Sequence, residues 1–131
     1  MVEQWKRQMA IIVDDDDGVR QALREFLECE GIEVEDFASG SQLVSAPSWP
    51  PTVGCMVLDV HMPGMSGIEV LEELRACGSQ LPVVLMTGRP DEADRRRALA
   101  LGAIDVLEKP FDAGRIVELV REALENSHIA A

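Results

Sequence analysis

Short apolar runs alternate five times along the chain with longer stretches whose apolar residues recur at helical spacing. The runs are Met9-Ala10-Ile11-Ile12-Val13, Ile32 to Phe37, Cys55-Met56-Val57-Leu58, Pro82 to Met86 and Ile104 to Leu107. A first helix is predicted from Val19 to Glu30, because Val19, Ala22, Leu23, Phe26 and Leu27 make one stripe that faces a sheet. Gly31 is its expected left-handed stop. A second, short helix fits between Ser39 and Ala46. A third, Ser66 to Cys77, buries Val70, Leu71 and Leu74 and stops at Gly78. The last repeats the stripe with Ile116, Leu119, Val120, Ala123 and Leu124, and Asp112 is a natural N-cap for it. The fourth, Asp91 to Leu101, differs. It carries Arg95-Arg96-Arg97, offers mainly Ala98 and Leu101 to a core, and closes at Gly102, so it is predicted to be the least firmly packed.

Alternation of this kind predicts an α/β parallel sheet. The first, third and fourth runs are almost wholly apolar, as required of strands covered on both faces. Ile32-Glu33-Val34-Glu35-Asp36-Phe37 mixes charge with apolar residues, and Ile104-Asp105-Val106-Leu107-Glu108 does so more weakly, which assigns both to edges. The strand order is therefore 2-1-3-4-5, a doubly wound, flavodoxin-like (βα)5 sheet. Its chain reversal lies between strands 1 and 3, and ligands of open parallel sheets bind at such a switch point, beyond the carboxyl ends of the strands.

Composition narrows the class. The chain has 131 residues, one domain's worth, with 47% hydrophobic and only 4% aromatic residues, so its core is aliphatic. A formal net charge of -12 argues against direct contact with nucleic acid or an anionic membrane. Cys29, Cys55 and Cys77 lack metal-ligand spacing and read as small apolar fillers. No run is long enough for a membrane span or a signal peptide, so a cytoplasmic location is expected. Residues 1–8 read as a polar tail in which Trp5 has no assigned role. Pro47-Ser48-Trp49-Pro50-Pro51 reads as a stiff surface loop, and residues 128–131 as a tail or the start of a linker.

The chemistry collects where the strands end. Asp14 to Asp17 follow the first strand, Asp59 the third, Thr87-Gly88 the fourth and Glu108-Lys109-Pro110 the fifth. Asp14, Asp15 and Asp59 brought together repel one another, and a cation relieves that repulsion. Few oxygen ligands with positions left for water suit Mg²⁺. The bland alternative is a solvated acidic loop. Asp59 can act as a nucleophile towards phosphorus, or simply serve the turn before Met62-Pro63-Gly64. Thr87 can donate its hydroxyl to a phosphoryl oxygen, and Gly88 is expected to keep the site uncrowded. Lys109 offers a point charge, directed by the following proline.

Four stretches resemble the receiver domain of two-component response regulators: Ile12 to Arg20, Leu58 to Gly67, Leu85-Met86-Thr87-Gly88 and Glu108-Lys109-Pro110-Phe111. The resemblance runs in order over residues 9–125, and a domain of residues 9–127 is expected. It implies Asp59 as the acceptor of a phosphoryl group from a sensor kinase histidine. It further implies Asp15 as a direct and Asp14 as a water-mediated Mg²⁺ ligand, and the backbone carbonyl of His61 as another. Thr87 resembles the switch hydroxyl and Lys109 the phosphoryl partner, while Asp16 and Asp17 are solvated. His61 and Arg89 flank the site in this picture.

One position departs from the family pattern. Three residues before Lys109 the family commonly carries an aromatic residue, and here stands Val106, in a chain without tyrosine. The resemblance implies a non-enzymatic bacterial signalling switch read at the surface of helix 4, strand 5 and helix 5. Its implied partners are a sensor histidine kinase or phosphotransfer protein, and a second copy once phosphorylated. Two alternatives stay open. Asp15-Asp16-Asp17-Gly18-Val19 also fits the opening motif of haloacid dehalogenase-type phosphatases, although Asp59 is then idle. A receiver-shaped module that does not cycle phosphate is the other.

Overall fold

The computed structural model describes residues 9–46 and 52–130, with side chains described as far as residue 126. The expected polar tail and the proline-rich loop lie outside the described residues. The element order is β1 (Met9–Val13), α1 (Asp17–Cys29), β2 (Glu33–Phe37), α2 (Gly40–Ser45), β3 (Val53–Asp59), α3 (Gly67–Ala76), β4 (Val83–Thr87), α4 (Glu92–Ala100), β5 (Asp105–Glu108) and α5 (Ala113–Ala130).

All strand pairs are parallel and the order is β2-β1-β3-β4-β5, as strand composition predicted. Side chains of a strand alternate between faces, so the sheet builds two cores. Ile11, Val13, Met56, Leu58, Val83 and Leu85 pack on one face with Leu43, Val70, Leu71 and Ala98 of α2, α3 and α4. Ala10, Ile12, Cys55, Val57 and Met86 pack on the other with Leu23 and Leu27 of α1 and Ile116 and Val120 of α5. Each fully buried aliphatic side chain stabilises the fold by about 1.5–3 kcal/mol, which is why the central strands carry almost no polar residues.

Helix boundaries follow local chemistry. Asp16 caps α1, accepting from the Val19 amide, and the helix begins two residues before the apolar stripe that announced it. Ser66 and Glu69 form a reciprocal capping box at α3. The Asp112 carboxylate accepts from the Gly114 and Arg115 amides at the start of α5. The expected glycine stops, Gly31, Gly78 and Gly102, all adopt positive φ. Helix α4 buries only Ala98, in keeping with its arginine-rich composition.

Two expectations fail. Phe26 is 48% exposed, because α1 turns only Leu23 and Leu27 fully inward and the stripe is wider than the contact. Only Cys55 is a buried filler. Cys29, the last residue of α1, and Cys77, the C-cap of α3, are exposed, because helix ends project beyond the sheet.

Candidate functional site

The switch point between β1 and β3 carries the acidic residues. Asp14 directly follows β1 and is fully buried between its neighbours, Asp59 closes β3 and is 3% exposed, and Thr87 closes β4 and is 5% exposed. Carboxylate oxygens of Asp14, Asp15 and Asp59 lie within 4.8 Å of one another. Lys109 Nζ reaches in from the end of β5 to donate to Asp14 Oδ2 at 2.9 Å, and it pairs with Asp59 Oδ1 at 3.3 Å. The fifth strand is held in register with the fourth by the Lys109 amide, which donates to the Thr87 carbonyl at 2.8 Å.

Every polar group of Asp14 has a partner. Its amide donates to the Phe37 carbonyl, its carbonyl accepts from Arg20 Nη1 at 2.8 Å, and Oδ1 accepts from the Asp16 amide at 2.9 Å. Asp15, by contrast, exposes its side chain at the mouth of the cluster. Burial, and then the Asp14 charge, push the Asp59 carboxyl up to about 6 against the opposing pull of Lys109. Burial would lower the Lys109 ammonium, but its hydrogen bond to Asp14 and the charges of both aspartates outweigh that and raise it. Three carboxylates against one ammonium leave two uncompensated negative charges at pH 7. An all-oxygen donor set with that charge and an exposed member fits a hard divalent cation with room for water.

The hydroxyl of Thr87 faces the main chain of Arg89, donating to its carbonyl and accepting from its amide, each at 3.0 Å. Beside it a cavity of about 180 Å³ opens between α4 and β5, lined among others by Val60, Thr87, Arg89, Arg95, Ala98 and Val106. His61 is half-buried, and its enclosed Nε2 has no hydrogen-bond partner among the described residues. Asp16 and Asp17 are exposed, the first as the α1 cap and the second paired with Arg20.

A Cβ at Gly88 meets no protein atom within 4 Å and would project into open space. The crowded glycine is Gly67. A Cβ on it would lie 2.2 Å from the Asp59 carbonyl oxygen, because α3 starts directly beneath the end of β3, with the Gly67 amide donating to the Val60 carbonyl at 2.9 Å. Sequence reasoning assigned no role to Gly67 or Arg20. Both residues appeared there only as the ends of the stretches that carry the family resemblance, Leu58 to Gly67 and Ile12 to Arg20.

Three carboxylates that could hold a metal ion, a lysine and a strand-end threonine thus gather at the switch point of a parallel α/β sheet. The family model for the response regulator receiver domain matches residues 10–121, and the chain belongs to that family. It is 44% identical over 116 residues to the transcriptional regulatory protein FixJ of Azorhizobium caulinodans, covering 88% of this chain and 54% of that protein. It is 40% identical over 117 residues to the C4-dicarboxylate transport transcriptional regulatory protein DctD of Pseudomonas aeruginosa, covering 88% and 25%. The chain thus spans about half the length of the first relative and a quarter of the second. Among solved structures, response regulator StyR superposes with a TM-score of 0.83 at 39% identity, covering 91% of this chain and 60% of that one. A response regulator receiver protein from Pseudomonas putida gives 0.82 at 28% identity, covering 88% and 97%. The relatives are regulators, and the haloacid dehalogenase-type alternative falls with the family match. No helix among the described residues is long and apolar enough to cross a membrane.

Proposed function

We propose that this chain is a Mg²⁺-dependent phosphorylation switch of a bacterial two-component system, with Asp59 as the phosphoacceptor. The observation that carries this reading is the convergence of the Asp14, Asp15 and Asp59 carboxylates within 4.8 Å with Lys109 bridging two of them. Asp14, Asp15, Asp59 and the His61 backbone carbonyl are the groups that would hold the cation. When bound, Mg²⁺ would neutralise the oxygens of an incoming phosphoryl group.

A carboxylate oxygen of Asp59 attacks phosphorus, the P–N bond of a phosphohistidine on a sensor kinase or phosphotransfer protein breaks, and its electron pair leaves with the imidazole nitrogen. Lys109 then exchanges its contact with Asp59 for one with the new phosphoryl oxygens. Thr87 releases the Arg89 main chain and turns its hydroxyl to the phosphoryl group. Two observations favour the surface of α4, β5 and α5 as the readout: α4 buries a single residue, and the cavity beside Thr87 gives that helix room to repack. With Val106 at the usual aromatic position, movement of α4 over this cavity replaces the swing of a ring. The controlled output, an attached domain or a second copy, belongs to the longer protein that the relatives suggest. Solubility by net charge and a cytoplasmic location accord with this role.

Intact-mass analysis after incubation with acetyl phosphate tests the reading. One phosphoryl group gained with Mg²⁺, absent with chelator and absent in Asp59→Asn, is expected. A wild type that gains none, and that is also unaffected by beryllofluoride, would be a receiver-shaped interaction module instead.

A further inference from the structure

We propose, resting on that reading of the site, that Arg20 is a positioning residue for the cation cluster: by gripping the Asp14 carbonyl it orients the Asp14–Asp15 peptide and hence the Asp15 carboxylate. Arg20 lies one turn into α1 with its side chain only 17% exposed. Its guanidinium donates to the Asp14 carbonyl at 2.8 Å and to Asp17 Oδ1 at 2.6 Å, and pairs with Asp36 Oδ1 at 3.4 Å. Three elements therefore meet on one planar fork: the end of β1, the first turn of α1 and the end of β2. Arg24, one turn further along α1, holds Asp36 Oδ2 at 2.5 Å and the Val34 carbonyl at 3.0 Å and makes no contact with Asp14.

The consequence falls on Asp15. A peptide unit is planar, so fixing the Asp14 oxygen fixes the Asp15 amide and the direction in which Asp15 leaves the plane. The Asp14 carboxylate has its own anchors in the Asp16 amide and Lys109. The exposed Asp15 carboxylate has no hydrogen bond among the described residues, so its placement rests on the backbone that Arg20 holds. A cation this close would by charge alone oppose binding of another cation. Arg20, however, faces two carboxylates of its own, Asp17 and Asp36, which neutralise it locally. Positioning and charge thus make opposite forecasts for removal of the guanidinium.

Calorimetric titration with MgCl2 separates them, using wild type, Arg20→Met, Arg20→Lys and Arg24→Met, with urea stability in chelator measured alongside. Arg20→Met is expected to weaken Mg²⁺ binding about tenfold or more, the usual cost of removing a group that orients a metal ligand. Arg20→Lys keeps the charge but not the fork, and is expected to weaken binding in the same direction. Arg24→Met is expected to lower stability while leaving Mg²⁺ affinity at the wild-type value, because it never touches Asp14. Unchanged or tighter binding in Arg20→Met, wild-type affinity in Arg20→Lys, or equal weakening in Arg24→Met would each overturn the proposal. If Arg20→Met does not fold, Arg20→Lys decides alone. A wild type that binds no Mg²⁺ would instead bring down the switch reading itself, and this inference with it.

Discussion

At the scale of single residues, Asp59 is costly to hold charged, because it is buried and lies beside Asp14. Its carboxyl is raised from 3.8 to about 6, so the folded protein binds this proton more tightly than the unfolded chain does. The associated stability is therefore present below pH 4 and lost as pH rises through 6. In chelator, Asp59→Asn is expected to match wild type near pH 4 and exceed it by up to about 3 kcal/mol above pH 7, since each tenfold gain in proton affinity corresponds to about 1.4 kcal/mol. Urea titrations across that range check it, and a difference independent of pH would contradict the assignment of strain to this carboxylate. Gly67 makes the opposite kind of forecast. A methyl group there collides with the Asp59 carbonyl, so Gly67→Ala is expected to destabilise by about 1–3 kcal/mol, as overpacking does, whereas Gly88→Ala should change the urea midpoint little.

Among the elements, α4 stands apart. Helices α1 and α3 bury two and four residues, while α4 buries Ala98 alone and is otherwise tied by surface ion pairs: Arg95 to Asp105 at 3.6 Å, and Arg97 to Glu72. Exposed pairs of this kind contribute about 0–1 kcal/mol each, less than one buried leucine, so packing rather than charge decides how firmly a helix is held. Amide hydrogen exchange is expected to be faster in α4 than in α1 or α3. Equal protection in all three would remove the basis for treating α4 as the element that responds at the site.

At the scale of the molecule, a formal charge of -12 and a site with two uncompensated negative charges both respond to added salt, but differently. Screening of the net charge is general, whereas the cluster selects a small divalent ion. MgCl2 at a hundredfold excess over its dissociation constant is expected to stabilise the fold by about 2.7 kcal/mol, visible as a rise in Tm beyond that given by NaCl of equal ionic strength. Asp15→Ala should remove most of the excess and keep the NaCl response. An identical response to both salts would mean that only the net charge is being screened.

The sequence alone determined the alternation of elements, the stops of α1, α3 and α4, the strand order and the end of the sheet where chemistry gathers. These follow from short-range periodicity, and from the requirement that strands covered on both faces be apolar. Only the tertiary structure decided which residues of a helical stripe are covered, and it left Phe26, Cys29 and Cys77 in solvent. Likewise it decided that Gly67 rather than Gly88 sits against backbone, that Thr87 faces Arg89, and that Arg20 joins three elements. The physical reason is range. Periodicity and capping are set within a few residues of chain, whereas burial, steric contact and ion pairing depend on groups such as Lys109 and Asp14, 95 positions apart, that meet only once the sheet has formed.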